Sequence, residues 1–346
     1  MKSLRGRIGG PVAATAILLI VMAVSLHTGT IEIPVAGAWH GLLQSAGLEA
    51  VSDTGLTAEQ EAVLRYIRMP RVLVGIMVGA ALALAGAVMQ GVFSNQLADP
   101  GIMGVSAGAS LGAVIAVSTG LTSLGMFYMP LAAFIGAFVS VGLTILLTLR
   151  NGRVETSTLL LAGVAVSMLF GAFTSGILTL MNEYRLREFL FWMVGGLDFR
   201  RWEHVLLAVG PISVCTAILI MLGRHLNVLV LGDTEARALG VPVMRYRLTF
   251  LFLASFMTAT AVCVSGSIGF VGLIIPHIVR ILTGPDHRVL LPTAALTGAA
   301  FLVFCDTLGR IVAPPIEIRA GIMTALLGSP YFLYLLRNIR RRGGAK

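Results

Sequence analysis

RMPRVLVGIMVGAALALAGAVMQ (68–90) opens with two arginines and then runs to Gln90 without another charge. About 20 apolar residues in helical form cross a hydrocarbon core roughly 30 Å thick, and a helix satisfies its own backbone hydrogen bonds there. Working outward from this stretch, comparable segments fall at 12–30, 98–118, 127–149, 157–180, 202–222, 245–266, 268–283, 289–310 and 318–337. The eighth in chain order, 268–283, is short, and the second, third and eighth are rich in glycine. A hydrophobic fraction of 57% with only 12% charged residues excludes an ordinary soluble domain, as does a mean hydropathy of +0.91. The fold class is therefore all-α: a polytopic membrane protein of about ten transmembrane helices, forming a single transmembrane domain over 1–346.

Lysine and arginine set the orientation. With the N-terminus cytoplasmic, ten spans return the C-terminus to the same side. Sixteen of the 25 basic residues then lie inside, including Arg150, Arg153, Arg245, Arg247 and the tail Arg340–Arg341–Arg342. The positive-inside rule favours this arrangement. The net charge of +9 is thus a topology signal, and no nucleic-acid partner is read from it. The first apolar run, after MKSLRGR, reads as an uncleaved helix at about 12–30, because no small-x-small cleavage site follows. Cys215, Cys263 and Cys305 lie inside spans at no metal-ligand spacing and read as small buried side chains.

Several chemistries are missing from the sequence. No G-x-x-x-x-G-K-[ST] occurs, and Lys2 and Lys346 are the only lysines, so nothing here grips a nucleotide phosphate as a P-loop does. There is no H-E-x-x-H, no G-x-S-x-G and no pair of aspartates at mid-membrane. No catalytic residue, metal site or cofactor is expected on this chain. Charge near the bilayer centre is costly, and ion-coupled carriers usually retain some there for function. Here Asp99, Asp306 and Glu317 sit near span ends. If the protein pumps, its energy comes from another subunit. The rival class is a secondary carrier or channel that needs no ATPase.

Two further patterns bear on function. Gly104, Gly108 and Gly112 recur every four residues, and Gly75, Gly79, Gly266, Gly269 and Gly272 continue the theme. Small faces let helices approach closely; they can also permit sliding or line a path. The other pattern is the polar island GDTEARALG (232–240) between long apolar runs. Asp233 or Thr234 can cap a short helix, with Glu235 at its positive end. Gly240 can end that helix in a left-handed turn, and Pro242 prevents its resumption. Two turns are unstable alone in water, so this helix must pack on a neighbour.

Taken in order, the motifs carry a resemblance. They are R-M-P-R (68–71), G-A-V-M-Q-G-V-F-S-N-Q-L-A-D-P (86–100), G-V-S-A-G-A (104–109), L-L-L-A-G-V (159–164), F-W-M-V-G-G-L (191–197), L-G-D-T-E-A-R-A-L-G-V (231–241), G-F-V-G-L-I-I-P-H-I-V-R (269–280), G-P-D-H-R-V-L-L-P (284–292) and A-G-I-M-T-A-L-L-G-S-P-Y-F (320–332). Over about 60–338 the chain resembles the FecCD-type permeases of type II ABC importers, which take up iron–siderophores, haem and cobalamin. The resemblance implies a homodimer around a central path in the bacterial inner membrane, with both termini cytoplasmic. It also implies an ATPase dimer below, which uses ATP and Mg, and an extracytoplasmic substrate-binding protein above. An iron(III)–siderophore is the favoured cargo, with haem and cobalamin behind it.

Site by site, the resemblance makes Asp233, Thr234, Glu235, Ala236, Arg237, Ala238, Leu239 and Gly240 the coupling helix that seats in the ATPase. It makes Arg68, Arg71 and Arg310 outward-facing charges that dock the binding protein; headgroup snorkelling is the other reading of these three. Asp306 can also neutralise Arg310 at i,i+4 spacing. Thr156 and Ser157 match a cytoplasmic gate, though Thr156 is equally suited to cap the fifth helix. His277 reads as a packed, hydrogen-bonded histidine rather than a haem ligand. Two positions depart from the family pattern: Gln96 stands where a proline is usual, and Arg319 interrupts an apolar stretch. Arg319 can serve docking, contact an anionic substrate or pair with Glu317.

Overall fold

The computed structural model describes residues 4–29, 31–34, 37, 55–150, 153–154 and 156–343. Its helices are α1 (Leu4–His27), α2 (Ala58–Val63), α3 (Met69–Val92), α4 (Val105–Thr119), α5 (Tyr128–Thr148), α6 (Thr156–Thr179) and α7 (Glu183–Met193). They continue as α8 (Trp202–Met221), α9 (Gly223–Leu229), α10 (Asp233–Ala238), α11 (Val243–Ser265), α12 (Val271–Thr283), α13 (His287–Ile311) and α14 (Ala320–Gly343). A two-residue hairpin, β1 (Leu149–Arg150) with β2 (Arg153–Val154), joins α5 to α6.

Among the described residues, seven helical segments are long and apolar enough to cross a membrane: those within α1, α2–α3, α5, α6, α8, α11 and α13. Three shorter apolar helices, α4, α12 and Ala320–Leu335 of α14, complete the ten expected segments among the described residues. The shortness of α4 has a local cause. Asp99 accepts the Gly101 N–H at 2.7 Å and caps a 3-10 turn, Pro100–Met103. Gly104 then turns left-handed, with φ +82°, before the α-helix begins.

The second span begins earlier than its apolar run. A capping box at Thr57 and Gln60 starts α2, and a π-helical turn, Leu64–Arg68, carries it without a break into α3. The signal was the T-x-x-Q pattern, which hydropathy does not register.

Burial sorts the helices into a centre and a rim. Within the most apolar windows, 78% of the α2–α3 and α11 residues and 72% of the α13 residues are buried, against 22% for α6 and 17% for α1. The centre is held by backbone approach. A Cβ on Gly79 would overlap the Gly298 carbonyl of α13, and one on Gly86 would overlap the Gly272 carbonyl of α12. On the rim, Gly108 of α4 meets Gly136 of α5 in the same way. Lipid supplies no hydrophobic drive between helices, so van der Waals contact at such crossings takes its place. Gly108 and Gly112 thus act in packing, with Gly104 supplying the turn before them. All three cysteines are free and buried.

Candidate functional sites at the two ends of the bundle

Hydrogen bonds sort the connections into two ends. At one end Arg71 reaches Asp198, Asp306 and Glu317. At the same end the Trp202 indole donates to the Arg65 carbonyl at 2.9 Å. At the other, the Asn227 amide donates to Asp286 at 2.8 Å, and Arg280 donates to the side-chain oxygen of Gln90 at 2.9 Å. Gln90 in turn donates to the Leu273 carbonyl at 3.1 Å, which ties α3 to α12.

The first end is built around Arg71, at the N-terminus of α3. Its Nε and Nη2 donate to the two oxygens of Asp306, both at 2.9 Å, in a bidentate pair. Nη1 donates to Glu317 at 2.8 Å, and Nη2 also to Asp198 at 3.0 Å. Arg310 donates to the Ser25 carbonyl and hydroxyl at 2.9 and 2.8 Å, and its Nε stands 3.7 Å from Asp306, as the i,i+4 spacing suggested. Arg68 donates to the carbonyls of Leu26, His27 and Ile31, just beyond α1 and at its end.

Arg68 and Arg71 are only 4% and 7% exposed, and the Arg310 side chain only 7%. The expectation that all three face outward as open charges is therefore corrected: each guanidinium is spent inside the chain. Its cause is partner distance. The carboxylates that draw Arg71 inward lie 127 to 246 residues away, beyond the reach of local spacing. Asp198, directly after the motif F-W-M-V-G-G-L (191–197), was the member that spacing did not mark. Burial pushes its carboxyl up, against the opposing pull of Arg71 and Arg319.

Arg319 also belongs to this end. It donates to the Phe191 carbonyl, lies 4.5 Å over the Phe191 ring, and its Nε stands 3.7 Å from Asp198. Its carboxylate neighbour is thus Asp198, while Glu317 turns to Arg71.

At the second end, α10 is the island helix. It starts at Asp233 with Gly232 as its N-cap, so neither Asp233 nor Thr234 caps it through a side chain. Asp233 is drawn instead to Arg247 of α11, at 2.5 Å, with Arg237 at 4.0 Å. The close is as expected. Gly240 has φ +77°, its N–H bonds the Arg237 carbonyl at 2.9 Å, and the Val241 N–H bonds the Ala236 carbonyl at 3.0 Å. That pair of bonds is a Schellman cap. Ala236 is fully buried against the bundle, whereas Thr234, Glu235, Arg237, Ala238, Leu239 and Gly240 are exposed. α10 packs on α9 and α11 and shows the rest of its surface.

Thr156 and Ser157 open α6, and their side chains lie outside the described set. His277 is buried in α12, and neither ring nitrogen has a hydrogen-bond partner among the described residues, contrary to the expected bonded histidine. Its ring faces Tyr331 at 6.3 Å. Among the described residues no three His, Cys, Asp or Glu side chains gather as a metal site.

Comparison with known proteins agrees with this architecture. The FecCD transport family matches residues 17–338. The cobalamin import system permease protein BtuC of Halobacterium salinarum is 44% identical over 319 residues, covering 91% of this chain and 84% of the relative. The hemin transport system permease protein HmuU of Yersinia pestis is 44% identical over 283 residues, or 80% and 84% of the two chains. A solved structure described as a metal-chelate type ABC transporter, inward-facing, superposes with a TM-score of 0.83 at 32% identity, covering 95% of this chain and 98% of that one. With ten apolar helical segments among its described residues, glycine-mediated crossings and an exposed capped helix at one end, the chain belongs to the FecCD transport family and is a permease of the type II ABC importer class.

Proposed function

We propose that this permease works as a homodimer that carries a metal chelate into the cytoplasm, driven by a separate ATPase dimer and supplied by an extracytoplasmic binding protein. The observation that carries the reading is α10: a helix of six residues, anchored by Ala236 and the Asp233–Arg247 pair, with its remaining side chains turned away from the bundle. An isolated surface helix this short has no stability of its own. Its anchoring makes sense as a lever on which a partner pushes. In this reading the α10 end is cytoplasmic, both termini share that side, and the membrane is the cell's inner membrane.

The arginine end is the docking face for the binding protein. With Arg68, Arg71 and Arg310 committed internally, they shape that face rather than offer free charge. Thr156 and Ser157 stand at the cytoplasmic mouth. The class of cargo is a large metal chelate: a ferric siderophore, haem or a corrinoid. The relatives named for cobalamin and hemin support the latter two, and the ferric siderophore belongs to the same class.

Uptake in cells lacking this protein, with and without its return, tests the reading against labelled ferric siderophores, haem and cobalamin. Restored uptake of one compound that stops on ATP depletion is the expected result. Restored uptake that survives ATP depletion would instead indicate a carrier that needs no ATPase.

A further inference from the structure

A cavity of about 280 Å³ opens at the arginine end, between the turn before α5, the helix α7 and the segment leading into α8. Met126 and Phe191 supply apolar wall, and Glu188, Asp198, Arg200 and Arg319 supply charge. Phe199, at its edge, is 91% exposed.

Arg200 is the unusual member. Arg71, Arg310, Arg68 and Arg319 each find acceptors within the chain. The Arg200 side chain makes no hydrogen bond and no ion pair within 4.0 Å among the described residues, and its Nε is shielded from solvent without a partner. Asp198, the nearest candidate by sequence, already gives one oxygen to Arg71 and turns the other toward Arg319. Burial pulls the Arg200 guanidinium down to about 10, Asp198 opposing and Arg319 reinforcing the shift. Buried donors in native structures are nearly always satisfied, so the orphaned Nε of a guanidinium in the cavity wall, whose other nitrogens also find no acceptor among the described residues, calls for a ligand.

The lining also specifies the charge of that ligand. Two guanidiniums and two carboxylates balance, so a dianion would meet Glu188 and Asp198 unfavourably. A monoanion that carries its own cation fits: the anion on Arg200, the cation toward Glu188, and an apolar remainder along Met126 and Phe199. Arginine's planar fork suits a phosphate oxygen pair.

We propose that this cavity binds a singly charged phosphodiester of zwitterionic type, with Arg200 as the principal ligand. A phosphatidylethanolamine headgroup is its source at the membrane surface. The site rests on this geometry alone and stands whichever cargo is carried.

The test is native mass spectrometry of the full chain released from nanodiscs of phosphatidylethanolamine and phosphatidylcholine. Wild type, Arg200→Gln and Arg200→Lys are compared with Arg187→Gln, which removes a 75% exposed charge at the same end. Retained phosphatidylethanolamine should fall at least fivefold in Arg200→Gln, recover in part in Arg200→Lys and stay unchanged in Arg187→Gln. Displacement by soluble glycerophosphoethanolamine shows that the headgroup suffices. Failure to displace, with the Arg200 dependence intact, assigns the site to the whole lipid. Equal retention in wild type and Arg200→Gln overturns the proposal, as does absence of retained lipid together with no melting shift from glycerophosphoethanolamine. If Arg200→Gln proves less stable without lipid, Met126→Trp, which fills the cavity and keeps its charges, is read instead. Unchanged retention there overturns the proposal equally.

Discussion

At the arginine end, Arg71 is 7% exposed and its guanidinium bonds three carboxylates. At the opposite end, Thr234, Glu235, Arg237 and Leu239 stand exposed around the buried Ala236. Both ends are polar, yet one turns its charge inward to bind segments together and the other turns it outward. A buried charge is held by its partners, and removing one leaves the others stranded. An exposed charge on a short helix adds little stability and is free to meet another molecule. The same residue types therefore do structural work at one end and leave the other open for association.

The largest effect expected from breaking this contrast is at Arg71. Arg71→Met removes the bidentate partner of Asp306, which is 2% exposed and keeps only Arg310 at 3.7 Å, and should cost about 3–5 kcal/mol. Adding Asp306→Asn should recover much of the loss. Thermal unfolding in detergent checks both, and a melting temperature unmoved by Arg71→Met would show that the cluster holds nothing together. Next comes the helix crossing of the rim. Gly108→Leu drives a side chain into the Gly136 carbonyl and should cost about 1–3 kcal/mol or prevent folding. Gly142→Leu, where a Cβ meets nothing within 4 Å, should be tolerated by the same measurement. Equal losses at the two positions would refute packing as the role of the glycines.

The smallest stability effect belongs to the outward end. Ala238→Glu lies on the exposed face of α10 and should change stability by no more than about 0.5 kcal/mol. Its uptake rate and its association with the ATPase should nonetheless fall at least tenfold. Ala236 is a poorer place for this test, because a charge there enters the core. Normal uptake by Ala238→Glu would remove α10 from the coupling role.

The spans and the island helix were legible because each is written in neighbouring residues: an apolar run, or a glycine with a proline beyond it. Gly240 behaves as its local chemistry dictates. Asp233 does not, because Arg247, fourteen residues on, outcompetes the backbone N–H groups that it could have capped. The arginine cluster was unreadable for the same reason on a larger scale. Arg68 takes carbonyls just past the end of α1, and Arg71 takes carboxylates from the far half of the chain. The i,i+4 pair Asp306–Arg310 was within reach of spacing, and it is the one contact of the cluster that the sequence indicated in advance.

Synthesis from the N-terminus gives the Arg71 clamp a place in time. Glu317 follows Arg71 by 246 residues, a delay of about 10–50 s at ribosomal speeds of roughly 5–20 residues per second. Until Asp198 emerges, 127 residues on, the guanidinium has none of its three carboxylates, and its set is complete only with Glu317. Chains that stop between Asp198 and Asp306 would hold Arg71 by one carboxylate and lack its bidentate partner. The end of α13 and the turn after it thus complete a cluster that the second span begins, and until they emerge that buried charge is only partly matched.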